Sequence, residues 1–440
     1  MTFLFVSCLA ESIGVAIRIK SEGHKVLYYI HSDAEKDCGD GFLEKVDNWR
    51  DAVKDADVVF FDDVDQKQED DTAYKPTAWS AEIRKKYPEK IIIGGGHPEV
   101  HKLENDRMYA NEILQQYGLP TVPMERFTSF QDAIKFVEED GGAWALKHNS
   151  QVDRDLAHVS KDPDDMIEFL EWLDENWAEL GNGQPIDFVL QQTANGIEFA
   201  VTAFFDGDHF RAEACYLNQE EKKELNSGYG RSTGQMGEIG FMLPNPRLFQ
   251  QTLLKLEPFF YDKEYVGFVD LNCIITGSGD QDFVPLEFTA GRPGYPTIDS
   301  WGELLAEPVG NWLVRMAKQD QQLTQVYDAM ECTVVIATGT FPDQHPTRNK
   351  TAILHGLNKT GLRHVWLSEV RWKDGKVYGA GDSGYMCVIT SKANSIPEAA
   401  IQAYSIANEI DVVPYKKIRT DIGIRAVKEF PQLFEWGWLK

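Results

Sequence analysis

The feature that most restricts the fold is the first hundred residues, where short apolar runs recur between longer segments of mixed character. Residues 3–7 read as a strand and residues 10–22 as a helix with apolar positions Ile13, Val15, Ala16 and Ile19. Lys25–Ile30 reads as a second strand, and Val58–Phe61 and Ile91–Ile93 as short strands bounded by charge and glycine. Strands that alternate with helices return by crossovers rather than tight hairpins, so the pattern predicts a Rossmann-like parallel α/β domain over residues 1–103. The GxGxxG dinucleotide pattern is missing after the first strand, which continues Cys8-Leu-Ala-Glu-Ser-Ile-Gly14, so a nicotinamide function has no support. Gly94-Gly-Gly-His-Pro98 leaves two readings open: backbone amides approaching an anion, or a tight turn.

The chain is 440 residues long and 42% hydrophobic, more than one ordinary core holds, and about two to four domains are expected. Its formal charge of −26, with no run of five basic residues, argues against a nucleic-acid polymer or an anionic membrane as partner. The apolar start is only about six residues long and lacks a basic flank, and no later stretch approaches the ~18 apolar residues of a membrane span. Cys8, Cys38, Cys215, Cys273, Cys332 and Cys387 show no CxxC or zinc spacing, and the last four sit in apolar, strand-like runs. Free buried thiols fit a reducing, cytoplasmic setting.

Further along, residues 104–118 predict a helix ended by Gly118 and Pro120, followed by an amphipathic segment at 128–139, a strand at Trp144–Lys147 and a helix at 163–178. Phe188–Gln192 and Phe199–Phe205 read as strands on either side of Asn195-Gly196, a good hairpin turn. Residues 226–238, rich in glycine and polar groups, are a substrate loop or a lid. Val266–Thr276 and Phe283–Thr289 form a strand pair. A last α/β segment, starting near Glu331, carries strands at 333–338 and 384–390 and a helix at 397–409.

Three clusters carry chemistry. Asp270 and Asn272 lie on one strand of the pair and Glu287 and Thr289 on the other, with Arg292 just beyond. Alternation puts Glu287 and Thr289 on one face, where Asp270 could meet them, and hard oxygen donors of this kind suit Mg²⁺ held together with nucleotide phosphates. A solvated hairpin face is the plainer reading. The second cluster is Gln191-Gln192-Thr193-Ala194, with Glu198 further on. Such groups can read an adenine edge and accept ribose hydroxyls, or simply form a polar turn. The third is a pair of cations, Arg107 opening a helix and Lys147 ending a strand. They would neutralise triphosphate charge or, singly, make surface salt bridges.

In this order the clusters resemble the phosphoribosylamine–glycine ligases of the ATP-grasp superfamily, over nearly the whole chain and best from about residue 104 onward. The stretches that carry the resemblance are Asp106-Arg-Met-Tyr-Ala-Asn-Glu-Ile-Leu, Trp144-Ala-Leu-Lys147, Leu190 to Glu198, Ser232-Thr-Gly-Gln-Met-Gly237, Leu286-Glu-Phe-Thr-Ala-Gly-Arg292 and Arg419-Thr-Asp-Ile-Gly-Ile-Arg425. The resemblance implies a Rossmann-like domain at 1–103, an ATP-grasp domain at 104–325 (small lobe about 120–190, large lobe about 191–325) and a C-terminal domain at 326–440. It implies ATP-dependent joining of a small carboxylate, glycine or another amino acid, to an amine through an acyl phosphate, as in purine biosynthesis, by a cytoplasmic monomer or homodimer.

It further implies that Arg107, Lys147, Gln191, Gln192, Thr193, Ala194 and Glu198 hold ATP, and that Asp270, Glu287 and Thr289 hold Mg²⁺ or Mn²⁺. Ser232, Thr233, Gly234, Lys223 and Arg292 would hold substrate, with Arg292 and Lys147 catalytic. The chain departs from the family in four places. The family's N-terminal glycine-rich phosphate loop is missing. Val152-Asp-Arg-Asp-Leu156 replaces a glycine loop, Thr289 stands for a metal-binding asparagine, and Arg292 lies one place off the family arginine. These departures leave two alternatives: a phage-type relative that joins an amino acid to another amine, such as a modified nucleotide or DNA base, and a non-catalytic nucleotide-binding protein.

Overall fold

The computed structural model describes every residue except 67–72, 150–155, 182, 344 and 358–360, and the side chains of 361 and 362. In the N-terminal region the expected strands pair in parallel in the spatial order Glu44–Lys45, Lys25–Ile30, Thr2–Ser7, Val58–Phe61, Ile91–Ile93. Alternate residues of the central strands feed different cores. Phe3, Phe5, Tyr28 and Phe60 pack with Ile13, Ala16 and Ile19 of helix Ile13–Ser21 and with Trp301 and Trp312. Leu4, Val6, Val59 and Phe61 pack with Trp49, Tyr74 and Ile83 on the other face. A sheet covered on both faces explains why these strands read as continuous apolar runs. The chain leaves Thr2–Ser7 toward one edge of the sheet and returns to its other side at Val58–Phe61. The topological switch point therefore lies between those two strands.

The helix expected at 104–118 is two helices, Pro98–Asn105 and Arg107–Gln116. Asp106 breaks them apart with an extended backbone (φ −134°, ψ 98°), and its carboxylate accepts the Tyr109 amide at 3.1 Å. Aspartate favours the N-cap over the helix interior because its short side chain can satisfy an otherwise orphaned amide there. The cap places Arg107 in the first turn of the second helix.

Beyond it, a four-stranded antiparallel sheet has the order Met124–Phe127, Phe188–Gln192, Trp144–His148, His158–Val159. Helices Phe130–Asp140 and Pro163–Leu180 cover it, burying Phe130, Val137, Leu146, Met166, Leu170, Phe188 and Leu190 together. The expected hairpin at Asn195-Gly196 is not formed. Phe188–Gln192 stays in this sheet, whereas Ile197–Phe205 pairs with Gly267–Ile275 and Cys215–Glu220 in a different one. Gly196 is needed for close approach rather than for a turn, since a Cβ there would lie 2.2 Å from the Ile275 carbonyl oxygen. Asn-Gly is a local turn signal, and here the partner strands available to each flank override it.

The second, nine-stranded sheet runs in antiparallel order from Phe283–Ala290 through Gly267–Ile275, Ile197–Phe205, Cys215–Glu220, Gly237–Leu243, Met330–Thr338 and Tyr385–Ala393 to Val365–Leu367. Lys416–Lys417 also pairs with Met330–Thr338. One sheet thus joins the central segment to C-terminal strands. A further four-stranded sheet has the order Val370–Lys373, Lys376–Gly379, Ile353–His355, Asp411–Val413. All six cysteines are buried and unpaired. Among the described residues no helix is long and apolar enough to cross a membrane.

Candidate active site

The expected strand pair is Gly267–Ile275 with Phe283–Ala290. Its register sets Asp270 opposite Thr289 and Asn272 opposite Glu287, so all four side chains project from one face. Neighbouring strands add Glu198 and Glu220 to the same face, and the segment following Cys215–Glu220 brings in Lys222. The Lys222 ammonium lies 2.7 Å from Glu287, 3.0 Å from Glu198 and 3.4 Å from Glu220. Asn272 donates to Glu198 at 3.0 Å and to Glu220 at 3.4 Å, while its own buried carbonyl oxygen has no partner. Asp270 accepts the Thr202 hydroxyl at 2.8 Å.

Two more cations reach this cluster from other elements. Arg107, in the first turn of its helix, lies 3.5 Å from Glu287. Lys147 extends from the strand Trp144–His148 of the smaller sheet and makes no ion pair within 4 Å among the described residues. The protonation states follow from this crowding. The charges of Lys222, Lys147 and Arg107 hold Glu287 well below the ordinary carboxylate range, overcoming its burial. Burial pushes Asp270 up to about 7 and Glu220 up to about 8, with neighbouring carboxylates adding to the effect. Burial and the nearby Arg107 bring Lys147 down to about 8. The arrangement has an acid that its neighbouring cations hold toward the ionised form, a set of cations and an incompletely satisfied oxygen donor set, which suits a polyanion bound together with a hard metal ion.

Gln191 is buried, and with Met124, Arg107, Leu286 and Glu287 it lines a cleft between the smaller sheet and the edge of the larger one. Gln192 and Thr193 are fixed through their backbone amides to the carbonyls of Pro123 and Ala143, and Ala194 follows them into the crossover. Glu198 sits with Lys222 and Asn272 in the acidic cluster. Thr233 donates both its amide (2.8 Å) and its hydroxyl (2.7 Å) to the Lys222 carbonyl, Ser232 bridges to Lys223, and Gly234 is exposed. The loop Ser232–Gly234 therefore braces the segment that carries the lysine.

One expectation, that for Arg292, needs correction. Lys223, expected at the substrate, is the neighbour of the lysine whose ammonium meets the acidic cluster, Lys222, and its backbone carbonyl accepts from Arg419 at 3.1 Å. Arg292, expected as an open fork for a substrate carboxylate, is already engaged: Nε and Nη2 donate to Glu104 at 2.9 and 2.8 Å, and Nη1 donates to Glu11 at 2.7 Å. It bridges the N-terminal sheet to the helix Pro98–Asn105, and burial among three acids leaves it no free edge for bidentate recognition. The Gly94-Gly-Gly segment also forms no anion cradle. Its amides donate to the carbonyls of Val266 (2.8 Å) and Gly291 (3.0 Å) and to the Ser80 hydroxyl (3.1 Å). The altered loop at Val152–Asp155 lies outside the described residues.

Of the residues in this cluster, Asn272 is read from sequence on the strand of Asp270 and Lys222 only as the neighbour of Lys223 in the family resemblance, whereas Glu220 is not singled out. Asn272 follows from the alternation that places Asp270. Glu220 and Lys222 have no local signal, because only the register of Cys215–Glu220 brings them there. The C-terminal motif supports them from behind. Arg419, 2% exposed, pairs with Glu221 at 3.0 Å and Asp421 at 2.8 Å, and Arg425 pairs with Glu221 at 3.0 Å.

Among the described residues no three His, Cys, Asp or Glu side chains already converge as a metal cage. The oxygens of Asp270, Glu287 and Asn272 nonetheless fit a hard divalent ion that takes its remaining ligands from phosphate and water.

Residues 105–258 match the family model described as Phosphoribosylglycinamide synthetase, ATP-grasp (A) domain. The phosphoribosylamine–glycine ligase of Caldanaerobacter subterraneus is 26% identical over 347 residues, which span 76% of this chain and 78% of the relative. The crystal structure of a phosphoribosylamine–glycine ligase from Thermotoga maritima superposes with a TM-score of 0.69 at 19% identity, covering 96% of this chain and 100% of the other. A biotin carboxylase from Campylobacter jejuni, solved as a β,γ-ATP complex, has a TM-score of 0.63 at 14% identity and covers 100% of this chain and 98% of its own. The matched domain, the relatives aligned over about three quarters of the chain and the cation-ringed acids on the large sheet agree: the chain is similar to phosphoribosylamine–glycine ligases, and its residues 105–258 are similar to the ATP-grasp domain of phosphoribosylglycinamide synthetases.

Proposed function

We propose that this protein is an ATP-dependent carboxylate–amine ligase that activates a small carboxylate, glycine or another amino acid, as an acyl phosphate and passes the acyl group to an amine. The observation that carries the reading is the convergence of Arg107, Lys147 and Lys222 on Glu287, between the smaller sheet and the face of the larger one. The two sheets are proposed as the two lobes, about 120–190 and 191–325, with ATP between them. The cleft at Gln191 takes the base, Gln192 to Ala194 border it, and Glu198 lies toward the ribose. Arg107 and Lys147 neutralise the phosphates. Asp270, Glu287 and Asn272 would hold magnesium or manganese, with Thr289 beside them. The bound metal supplies positive charge to the phosphate oxygens.

The residues act by position and charge, and no enzyme nucleophile is required. Lys222 lets Glu198, Glu220 and Glu287 share one site without repulsion. Arg107 and Lys147 offset the charge that builds on the transferring phosphoryl group. The carboxylate then attacks the γ-phosphorus with ADP leaving, and the amine displaces phosphate from the acyl carbon. The direct test is ADP release by the purified chain with ATP, magnesium and a panel of amino acids and amines. Turnover with at least one pair, abolished by Glu287→Ala, is the expected result. ADP production at background with every pair would overturn the reading.

A further inference from the structure

The cleft beside Gln191 has apolar walls and two kinds of polar group. Leu114, Met124 and Leu286 supply walls, and Arg107 and Glu287 stand at the side where the cations meet the acids. The other polar groups are two side-chain amides, those of Gln191 and Asn111. Apolar surfaces with a few convergent polar groups are what a planar heteroaromatic ring needs, packing against its faces and pairing along its edge.

The two amides come from different elements. Gln191, 3% exposed, projects from strand Phe188–Gln192 of the smaller sheet. Asn111 is half-buried on helix Arg107–Gln116. It stands four residues after Arg107, so the two share one helix face and lie about 6 Å apart along its axis. Neither side-chain amide makes a hydrogen bond among the described residues. A buried amide without a partner is costly, so the inner end of the cleft is a place where a bound group completes the pairing.

The charges set which end of a nucleotide meets these amides. The phosphates go with Arg107 and Lys147, and the ribose lies toward Glu198. In a purine nucleotide the substituent at position 6 is at the end of the base remote from the sugar. A purine with its phosphates at Arg107 therefore carries that substituent inward, toward the next turn of the helix and Asn111. No neighbouring group holds the Asn111 amide in one orientation. It can turn its carbonyl to a 6-amino group or its NH2 to a 6-oxo group.

We propose that Asn111 is a base-reading residue of this ligase, its side-chain amide hydrogen-bonding the 6-substituent of a purine nucleotide across the cleft from Gln191. The assignment rests on the ligase reading above and adds to it the class of nucleotide taken, a purine triphosphate with a hydrogen-bonding group at position 6.

Calorimetric titration of the full chain tests it, with magnesium present and amino acid and amine left out. Three ligands are compared: ATP, inosine triphosphate with a 6-oxo group, and purine riboside triphosphate with only hydrogen at position 6. The unmodified protein is expected to bind ATP about tenfold more tightly than purine riboside triphosphate. Asn111→Asp keeps the shape but can only accept, so its preference for ATP over inosine triphosphate is expected to exceed that of the unmodified protein by about tenfold. Asn111→Leu keeps the bulk and loses the pairing, and the advantage of ATP over purine riboside triphosphate is expected to shrink about fivefold. Using ratios between ligands removes any general effect of a substitution on the cleft. Equal binding of ATP and purine riboside triphosphate by the unmodified protein, or ratios unchanged in the two variants, would overturn the assignment and leave the ligase reading standing. No saturable binding of any of the three by the unmodified protein would overturn both.

Discussion

A single lysine shows how much one side chain can organise. Lys222 contacts three carboxylates drawn from three strands. Removing it leaves like charges facing one another in a partly closed site, a costlier change than losing an exposed ion pair. Lys222→Met is therefore expected to lower unfolding stability by about 2–4 kcal/mol in a denaturant titration and to abolish ADP release. Lys147 makes a second prediction at this scale. Burial and Arg107 lower it to about 8, so its ammonium form is lost as pH rises through that value. Because only the charged form pairs with phosphate, the KM for ATP should climb above about pH 8. Lys147→Arg, charged throughout this range, should flatten the climb. A KM for ATP that stays level to pH ~9.5 in the unmodified protein would count against Lys147 as a phosphate ligand. Lys147 is legible in the sequence as a cation at the end of an apolar strand. Lys222 and Lys223 are adjacent and chemically equal, and nothing local distinguishes the one that faces the acids.

At the level of elements, the crossover at Asn195-Gly196 is the most instructive. It carries the chain from the sheet that presents Lys147 to the sheet that presents Glu287, and so sets the spacing of the proposed lobes. Gly196 lies against the Ile275 carbonyl, where an added methyl would clash with backbone rather than with a yielding side chain. Gly196→Ala is expected to cost about 1–3 kcal/mol, read as a fall in denaturation midpoint, and to raise the KM for ATP. A turn-forming glycine would act differently, through a positive φ, which Gly196 does not have. The strands at 25–30, 58–61, 91–93 and 188–192 appear where hydrophobic pattern places them, since buried strands are written in continuous apolar runs. The break at Asp106 departs from the single helix expected over 104–118, although an aspartate before helix-forming residues is a local N-cap signal.

Across the whole molecule, the C-terminal segment holds the central one in place. Arg419 is buried between Glu221, Asp421 and the Lys223 carbonyl, about two hundred residues away in sequence from the loop it braces. Lys417 pairs with Glu224 at 2.6 Å in the same region. Arg419→Met should leave Glu221 and Asp421 short of a partner and cost about 3–5 kcal/mol. Hydrogen exchange over 221–236 should rise in that variant, and turnover should fall although Arg419 touches no proposed substrate. Unchanged exchange there would show that the loop is held by other contacts.

The parallel N-terminal sheet, most strand positions, the pairing of Gly267–Ile275 with Phe283–Ala290, and the side of that pair on which Asp270 and Glu287 lie are all readable from the order of residues. Those follow from apolar runs and two-residue alternation, which are properties of neighbouring residues. That Phe188–Gln192 and Ile197–Phe205 belong to different sheets, that Lys222 rather than Lys223 faces the acids, and that Arg292 is held by Glu11 and Glu104 emerges from the folded chain alone. Strand partners and ion pairs between residues far apart in the chain depend on which surfaces the whole fold brings together, and no local spacing encodes that choice.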